Sequence, residues 1–501
     1  MRQYVVVEAE EGVLNAYRAF LSDDTRIRER LLDGVVTPPP NKSEGPLLDA
    51  LLRIVSELPF ERPDQRAELI GIWNTLSIAS SPTTLPDDPA NAEWANELVV
   101  SFEAAPDAIE RLHKLVVELA ENHVGTRPEM PPVKLRNIGA DPRGHFCNLF
   151  AAASARPFGN RSRVRDILGF DALHARNLKG RGVNVVIIDQ GLNAKEIKAR
   201  NPKNWGGGLA RRNAIEPGSA PRTSHGMMIA RNVLDIAPEA TLYDVPMIPP
   251  HIVRPGLFAS DAHATFREVL DEIGRRRKRG HKDSVWILVN AWGVFDRAGE
   301  WPPGDYTCNT RARLTKFGWS DEVDFERGHP FNNIMNDAVG AGIDVLFGAG
   351  NCGRFTASSR CGRLDRGEGR SIWGANAHPA VLTIGAVSAD GQWLGYSSEG
   401  PGGWGLEGKR TKPDVCAPSH FCEDHDAAMV NSGTSAATGL AAGVVAAVRS
   451  NPKWGPKAVP PTKLKAAIND SARGQGGNWN ARTGHGILDA RALLEKLSGS
   501  H

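Results

Sequence analysis

Hydrophobic positions along the chain fall into two textures that change near residue 165. Before that point a short apolar run, Tyr4 to Val7, reads as a strand, and several longer stretches after it have apolar residues three and four positions apart. LLDALLRIVSEL (47–58) and AIERLHKLVVELAE (108–121) show this spacing, which gives a helix one face to bury. Between such runs lie TPPPNKSEGP, SPTTLPDDPAN and TRPEMPPVK, whose prolines stop one helix before another begins. Residues 1–125 are therefore expected to form a mainly helical domain with a regulatory role, and 126–165 an extended linker or docking segment.

Beyond residue 170 the apolar runs become short, continuous and rich in β-branched residues: GRGVNVVIIDQG (180–191), TLYDVPMI (241–248), SVWILVNAWG (284–293), GIDVLFGAGNCG (342–353) and AVLTIGAVSA (380–389). They alternate with amphipathic segments such as DAHATFREVLDEI and HPFNNIMNDAVGAG. Strands without polar alternation belong where helices cover both faces of a sheet, which predicts an α/β fold with a largely parallel sheet. In such sheets functional residues gather at the carboxyl ends of strands, and Asp189 stands at one. Near the end, NSGTSAATGLAAGVVAAV (431–448) reads as a buried helix with two hydroxyl residues, Thr434 and Ser435, at its mouth. Its apolar run is far shorter than the roughly 20 residues a membrane span needs.

Composition narrows the partners. A 501-residue chain with 41% hydrophobic residues has ample core, and a formal charge of +2 gives no global pull toward nucleic acid or an acidic membrane. RRRKRGHK (275–282) comes after an amphipathic segment and reads as a solvated helix end. MRQYVVVEAEEG has no basic region followed by an apolar core, so a cytoplasmic location is expected. Six cysteines fit three states: free thiols, two small loops closed through Cys352–Cys361 and Cys416–Cys422, or a zinc site made by those four with His425. Free thiols are the expectation for a chain of this size and location.

Three polar islands carry the candidate chemistry: Asp189 in IIDQG, His225 in TSHGMMIA and Ser435 in NSGTSAA. Each alone is ordinarily a cap or turn residue. Together they supply what a serine nucleophile requires: an imidazole to take its proton and an acid to orient the imidazole. FGAGNCG (347–353) adds Asn351, a neutral amide donor for an oxyanion, and the helix start at Ser435 adds a backbone amide.

Asp189, His225, Asn351 and Ser435, in that order, make the chain resemble the subtilisin-like serine proteases, or subtilases, from about residue 165 to 498. The acid, histidine, serine order is the known subtilisin order. GHGILDA (484–490) is similar to the family's glycine-bounded turn into its last helix. The resemblance implies a peptidase domain over 166–501 acting on a protein or peptide substrate through an acyl-enzyme. It makes Ser435 the nucleophile, His225 the base and then acid, Asp189 its orienting partner, and Asn351 an oxyanion donor. It also implies that Asn290, Ala291, Trp292 and Gly293 pair with substrate and line the first specificity pocket, with Gly348, Ala349 and Gly350 as the other wall. No cofactor is required for that chemistry; structural calcium or zinc is left open, as is a regulatory protein partner acting through the N-terminal domain. Departures from the family pattern are Gln190 after the acid, and Ala436 and Gly439 where Met and Pro are usual. Alternative readings are a catalytically quiet, partner-regulated peptide-binding fold, or an acyl-transfer enzyme such as a peptide ligase or esterase.

Overall fold

The computed structural model describes residues 2–9, 77–78, 83–84, 97–103, 105, 107–109, 111–112, 133–141, 157–210, 215–248, 258–279, 284–294, 329–358, 360–403, 411–424, 426–474 and 478–499. The chain divides into two compact units, one of residues 1–144, 253–275 and 298–334, the other of residues 145–252, 276–297 and 335–501.

In the first unit the described strands form one antiparallel sheet: β1 (Arg2–Ala9) lies between β4 (Glu97–Glu103) and β5 (Val133–Ala140), with β2 (Ser77–Ile78) and β3 (Thr83–Thr84) both on β4. Residues 133–140 thus pair with β1 where the sequence suggested a linker. The paired prolines before Val133 masked a strand whose partner is more than a hundred residues away. Residues 107–109 and 111–112 are helical and bury Ala108, Ile109 and Leu112, in keeping with the spacing of AIERLHKLVVELAE. LLDALLRIVSEL and the first proline connector lie outside the described residues, and of SPTTLPDDPAN only Thr83 and Thr84, the strand β3, are described. Asp141, just past β5, is buried and accepts from Ser101 Oγ (2.9 Å), Ser260 Oγ (2.7 Å) and the Ala259 and Ser260 amides, which open the helix Phe258–Lys278.

The second unit is built on a nine-stranded sheet. Its strands are β6 (Val183–Asp189), β7 (Trp205–Gly208), β8 (Thr241–Pro246), β9 (Val285–Asn290), β10 (Asp344–Gly348), β11 (Leu382–Val387), β12 (Val415–Pro418), β15 (Arg473–Gly474) and β16 (Gly486–Ile487), in the order β15-β16-β12-β11-β10-β9-β6-β8-β7. All pairings are parallel except β15 with β16. A separate hairpin joins β13 (Phe421–Glu423) to β14 (Asp426–Asn431). The principal helices are α1 (Arg161–Leu168), α2 (His225–Ile236), α3 (Gly433–Arg449), α4 (Pro461–Ser471) and α5 (Ala490–Gly499). Among the described residues, no helix is long and apolar enough to cross a membrane.

Helix α3 is buried along its whole length, which its Ala, Gly and Val residues permit. It packs on α2 at very close range: a Cβ on Gly439 would meet Asn232 Cβ at 3.0 Å, and one on Gly443 would meet Ile236 Cβ at 2.9 Å and Val233 O at 3.0 Å. At its far end Arg449 makes a two-pronged ion pair with Asp344 at the start of β10, both bonds at 2.6 Å, and its remaining donors reach the Trp454 and Val459 carbonyls. Buried charges persist when paired and fully hydrogen-bonded in this way.

The cysteine expectation needs correction at one pair. Cys352 and Cys361 form a disulfide with Cα atoms 5.7 Å apart, within the normal span for such a bond. The close spacing brings the two sulfurs together regardless of core size. Cys416 and Cys422 are free: their thiols donate to different carbonyls, Arg482 O and Gly159 O, and burial pushes the Cys416 thiol well up. His425, the fifth residue of the zinc option, lies outside the described residues. Arg275 to Lys278 end the helix Phe258–Lys278; Arg276 donates to Tyr243 Oη and Arg277 to the Ala341 carbonyl, so this basic run is used structurally.

Replacing Arg449 by Met should leave Asp344 as an uncompensated buried charge and cost about 3–5 kcal/mol. Urea unfolding of wild type and Arg449→Met checks this; an unchanged midpoint would show that the pair contributes nothing net.

Candidate active site

Four of the predicted residues stand at or just past the carboxyl ends of β6 and β10, which flank β9, or at helix starts. Asp189 is the last residue of β6, and its Oδ1 accepts from the next amide, Gln190 N, at 2.8 Å. His225 is the first residue of α2, which Ser224 caps by accepting from Met227 N. The His225 Nδ1 lies 2.8 Å from Asp189 Oδ1 and 3.0 Å from Oδ2, with both residues buried. A carboxylate in that position requires Nδ1 to carry its proton, which leaves Nε2 as the basic nitrogen.

Ser435 lies in the first turn of α3, 3% exposed, and its Oγ donates to the Ala291 carbonyl at 3.3 Å. Ala291 comes directly after the last residue of β9, and Ile188 pairs with Asn290, so this carbonyl lies beside the Asp189 strand end. Among the described residues Ser435 and His225 share no hydrogen bond; the hydroxyl is turned to Ala291 instead.

Asn351 lies just past β10 and is oriented by the start of α3. The Thr434 amide donates to its Oδ1 at 2.9 Å and the Thr434 hydroxyl at 3.2 Å. A backbone N–H can only donate, so this contact fixes which end of the carboxamide is oxygen. The Asn351 Nδ2 and the Ser435 backbone N–H make no hydrogen bonds among the described residues. Two donors are therefore open at one helix start, where the dipole favours an anion. The disulfide beginning at Cys352, with Ser358 N donating to Asn351 O, steadies the next loop.

The two predicted pocket walls are joined by a residue that sequence reading missed. Asn376 Nδ2 donates to Trp292 O and to Gly348 O, both at 2.8 Å. Trp292 turns its ring inward, with Nε1 on Ile188 O and an edge contact to Phe347. Ala349 and Gly350 are buried beside it, and Gly350 N donates to Thr434 Oγ1 at 3.2 Å. Nothing in the GANA sequence around Asn376 marks this role.

A family model for the subtilase family, Peptidase_S8, matches residues 180–486, more than half of the chain. The chain belongs to the subtilase family. Among solved structures, this subtilase is similar to MycP1 with the N-terminal propeptide removed, at 18% identity over 66% of this chain and 96% of that one, with a TM-score of 0.43. It is also similar to MycP1 from the ESX-1 type VII secretion system, at 17% identity over 71% and 90% of the two chains, with the same TM-score of 0.43. No curated protein matches it.

Two of the subtilase's departures from the family pattern, Gln190 and Gly439, have local contacts that account for them. Gln190 reaches back to accept from His225 N at 3.3 Å, tying the residue after the acid to the residue that contacts it. Gly439 lies where α3 meets the α2 backbone, with Ile229 O 3.1 Å from where a Cβ would be. A second carboxylate, Asp244 of β8, was not singled out in the sequence, although an acid inside the apolar run TLYDVPMI is a visible anomaly. It is buried near Asp189, and burial pushes it up to about 6.

Replacing Thr434 by Val keeps the shape but leaves the buried Gly350 N–H without an acceptor, and should cost about 1–3 kcal/mol. Equilibrium unfolding decides this: a loss below a few tenths would mean that water or a shifted loop satisfies the amide.

Proposed function

We propose that this subtilase is a serine endopeptidase that cleaves its substrate through an acyl-enzyme. The observation that supports this best is the contact of His225 Nδ1 with both oxygens of Asp189, set beside a helix start that offers Ser435 and two open donors. Ser435 Oγ swings from Ala291 O to His225 Nε2, gives up its proton there and attacks the scissile carbonyl. The new imidazolium is stabilised by Asp189. Charge on the carbonyl oxygen is received by Asn351 Nδ2 and the Ser435 N–H, donors whose value rises as the charge develops. His225 then protonates the leaving amine, and water repeats the sequence in reverse to release the acid. The backbone of 290–293 and of 348–350 would hold the substrate on either side, joined through Asn376.

The Ser435–Ala291 hydrogen bond favours one second reading, a catalytically quiet fold that binds peptides without cutting them. Incubating wild type and Ser435→Ala with a diverse peptide mixture, and identifying cut bonds by mass spectrometry, separates the two. Internal cuts made by wild type and not by Ser435→Ala are expected. Peptides retained uncut by both would sink the endopeptidase and leave the binding fold. If the enzyme cuts, Asn351→Ala should lower kcat by about 2.7–4 kcal/mol of transition-state stabilisation, the loss known for the oxyanion asparagine of subtilisin, with KM little changed. Steady-state kinetics at matched pH measures it, and an unaltered kcat would remove Asn351 from the oxyanion site.

A further inference from the structure

Asp244 takes no part in the acyl-transfer scheme, yet it is built into the ground beneath it. It lies in β8 opposite Ile187 of β6 and Gly208 of β7, completely buried. Its Oδ2 accepts from two backbone amides, Leu192 N at 2.9 Å and Gly218 N at 2.7 Å. Its Oδ1 is buried and accepts no hydrogen bond among the described residues. A half-satisfied carboxylate at this depth costs free energy that an apolar residue in the same strand would avoid.

The two amides belong to segments that seat the start of α2. Leu192 comes after Gln190 and Gly191; Gln190 Oε1 accepts from His225 N, and Gly191 O accepts from Ser224 Oγ at 2.8 Å. Gly218 is laced to the same loop, since Gly218 O accepts from Ala194 N and Ala220 N donates to Leu192 O. There is no slack between loop and helix: a Cβ on Gly226 would lie 2.7 Å from Gly191 O. Of the elements around Asp244, β6 brings Asp189, β7 brings no ionisable side chain, the 215–220 segment brings Glu216, and α2 brings His225 on the far side of Asp189. Among these only Asp189 acts on it through charge, adding to the upward push of burial.

Resting on the serine-peptidase reading above, we infer that Asp244 is a positioning residue for the Asp189–His225 pair: its carboxylate holds the 190–192 loop under α2, and protonation weakens that hold and lowers turnover. The proton comes from solvent and goes to the unpartnered Oδ1. Oδ2 keeps both amides, but as neutral hydrogen bonds of about half the strength of charge-assisted ones, and the negative charge beside Asp189 is lost.

The test has two arms. In Ser435→Ala protein, the amide 1H–15N shifts of Leu192 and Gly218 should move together with a midpoint near pH 6, where burial puts the carboxyl. In active protein, kcat/KM should show a matching ionisation in its acid limb. Asp244→Asn keeps an acceptor for both amides and removes the charge. It should abolish that ionisation and lower kcat roughly tenfold at pH 8, the effect of weakening contacts by about 1.4 kcal/mol, with KM little changed. Absence of the shared amide midpoint overturns the inference, and so does an Asp244→Asn profile whose acid limb still holds that ionisation in addition to the one belonging to the general base. Wild-type protein without Ser435-dependent cleavage would instead sink the peptidase reading, a failure that the amide arm, needing no turnover, tells apart.

Discussion

The Arg449–Asp344 ion pair and the Thr434–Asn351 hydrogen bonds fasten opposite ends of α3 to opposite ends of the β10 segment. A helix pinned at both ends to one strand cannot slide by a turn without breaking one of the attachments. Gly348 reinforces this from the middle, because a side chain there would meet the Thr434 and Thr438 hydroxyls at 3.1 and 3.2 Å. Ser435 and Asn351 are consequently held in one register, by Thr434 beside them and by the Arg449–Asp344 pair at the far end of the helix.

The acid and histidine side of the site is organised differently. Asp189 ends β6 and His225 begins α2, and the 190–192 loop ties the two together. That loop is held from below by a carboxylate and from above by Ser224 and the Gln190 side chain. On this side, as on the serine side, hydrogen bonds work together with close packing, since α2 lies directly on α3 and Gly226 directly on Gly191 O.

The sheet strands that carry the site were legible because burial on both faces writes itself into local composition. VVIID and VWILVN are apolar runs that end in a polar residue where β6 and β9 end, and the apolar run in DVLFG matches β10. The first unit's sheet was not legible beyond Tyr4 to Val7, since VKLRNIGA and ELVVSFE become strands only through pairing with β1 across long separations. Within the candidate site, the residues proposed for the chemistry stand out in the sequence, but those that orient them do not. Asn376 looks like a turn residue, and Thr434 like a helix cap, until a distant carbonyl or carboxamide is seen beside it. The Cys352–Cys361 bond was judged by the chain's size and location, when the short spacing was the deciding fact.

The first unit is drawn from three stretches of sequence, so the chain passes from one unit to the other after residues 144, 252, 275, 297 and 334. A terminal pro-segment can be released by cutting one bond; a unit threaded in this way cannot. Any single cleavage between the N-terminal sheet and the peptidase residues would leave the stretches 253–275 and 298–334 covalently part of the enzyme.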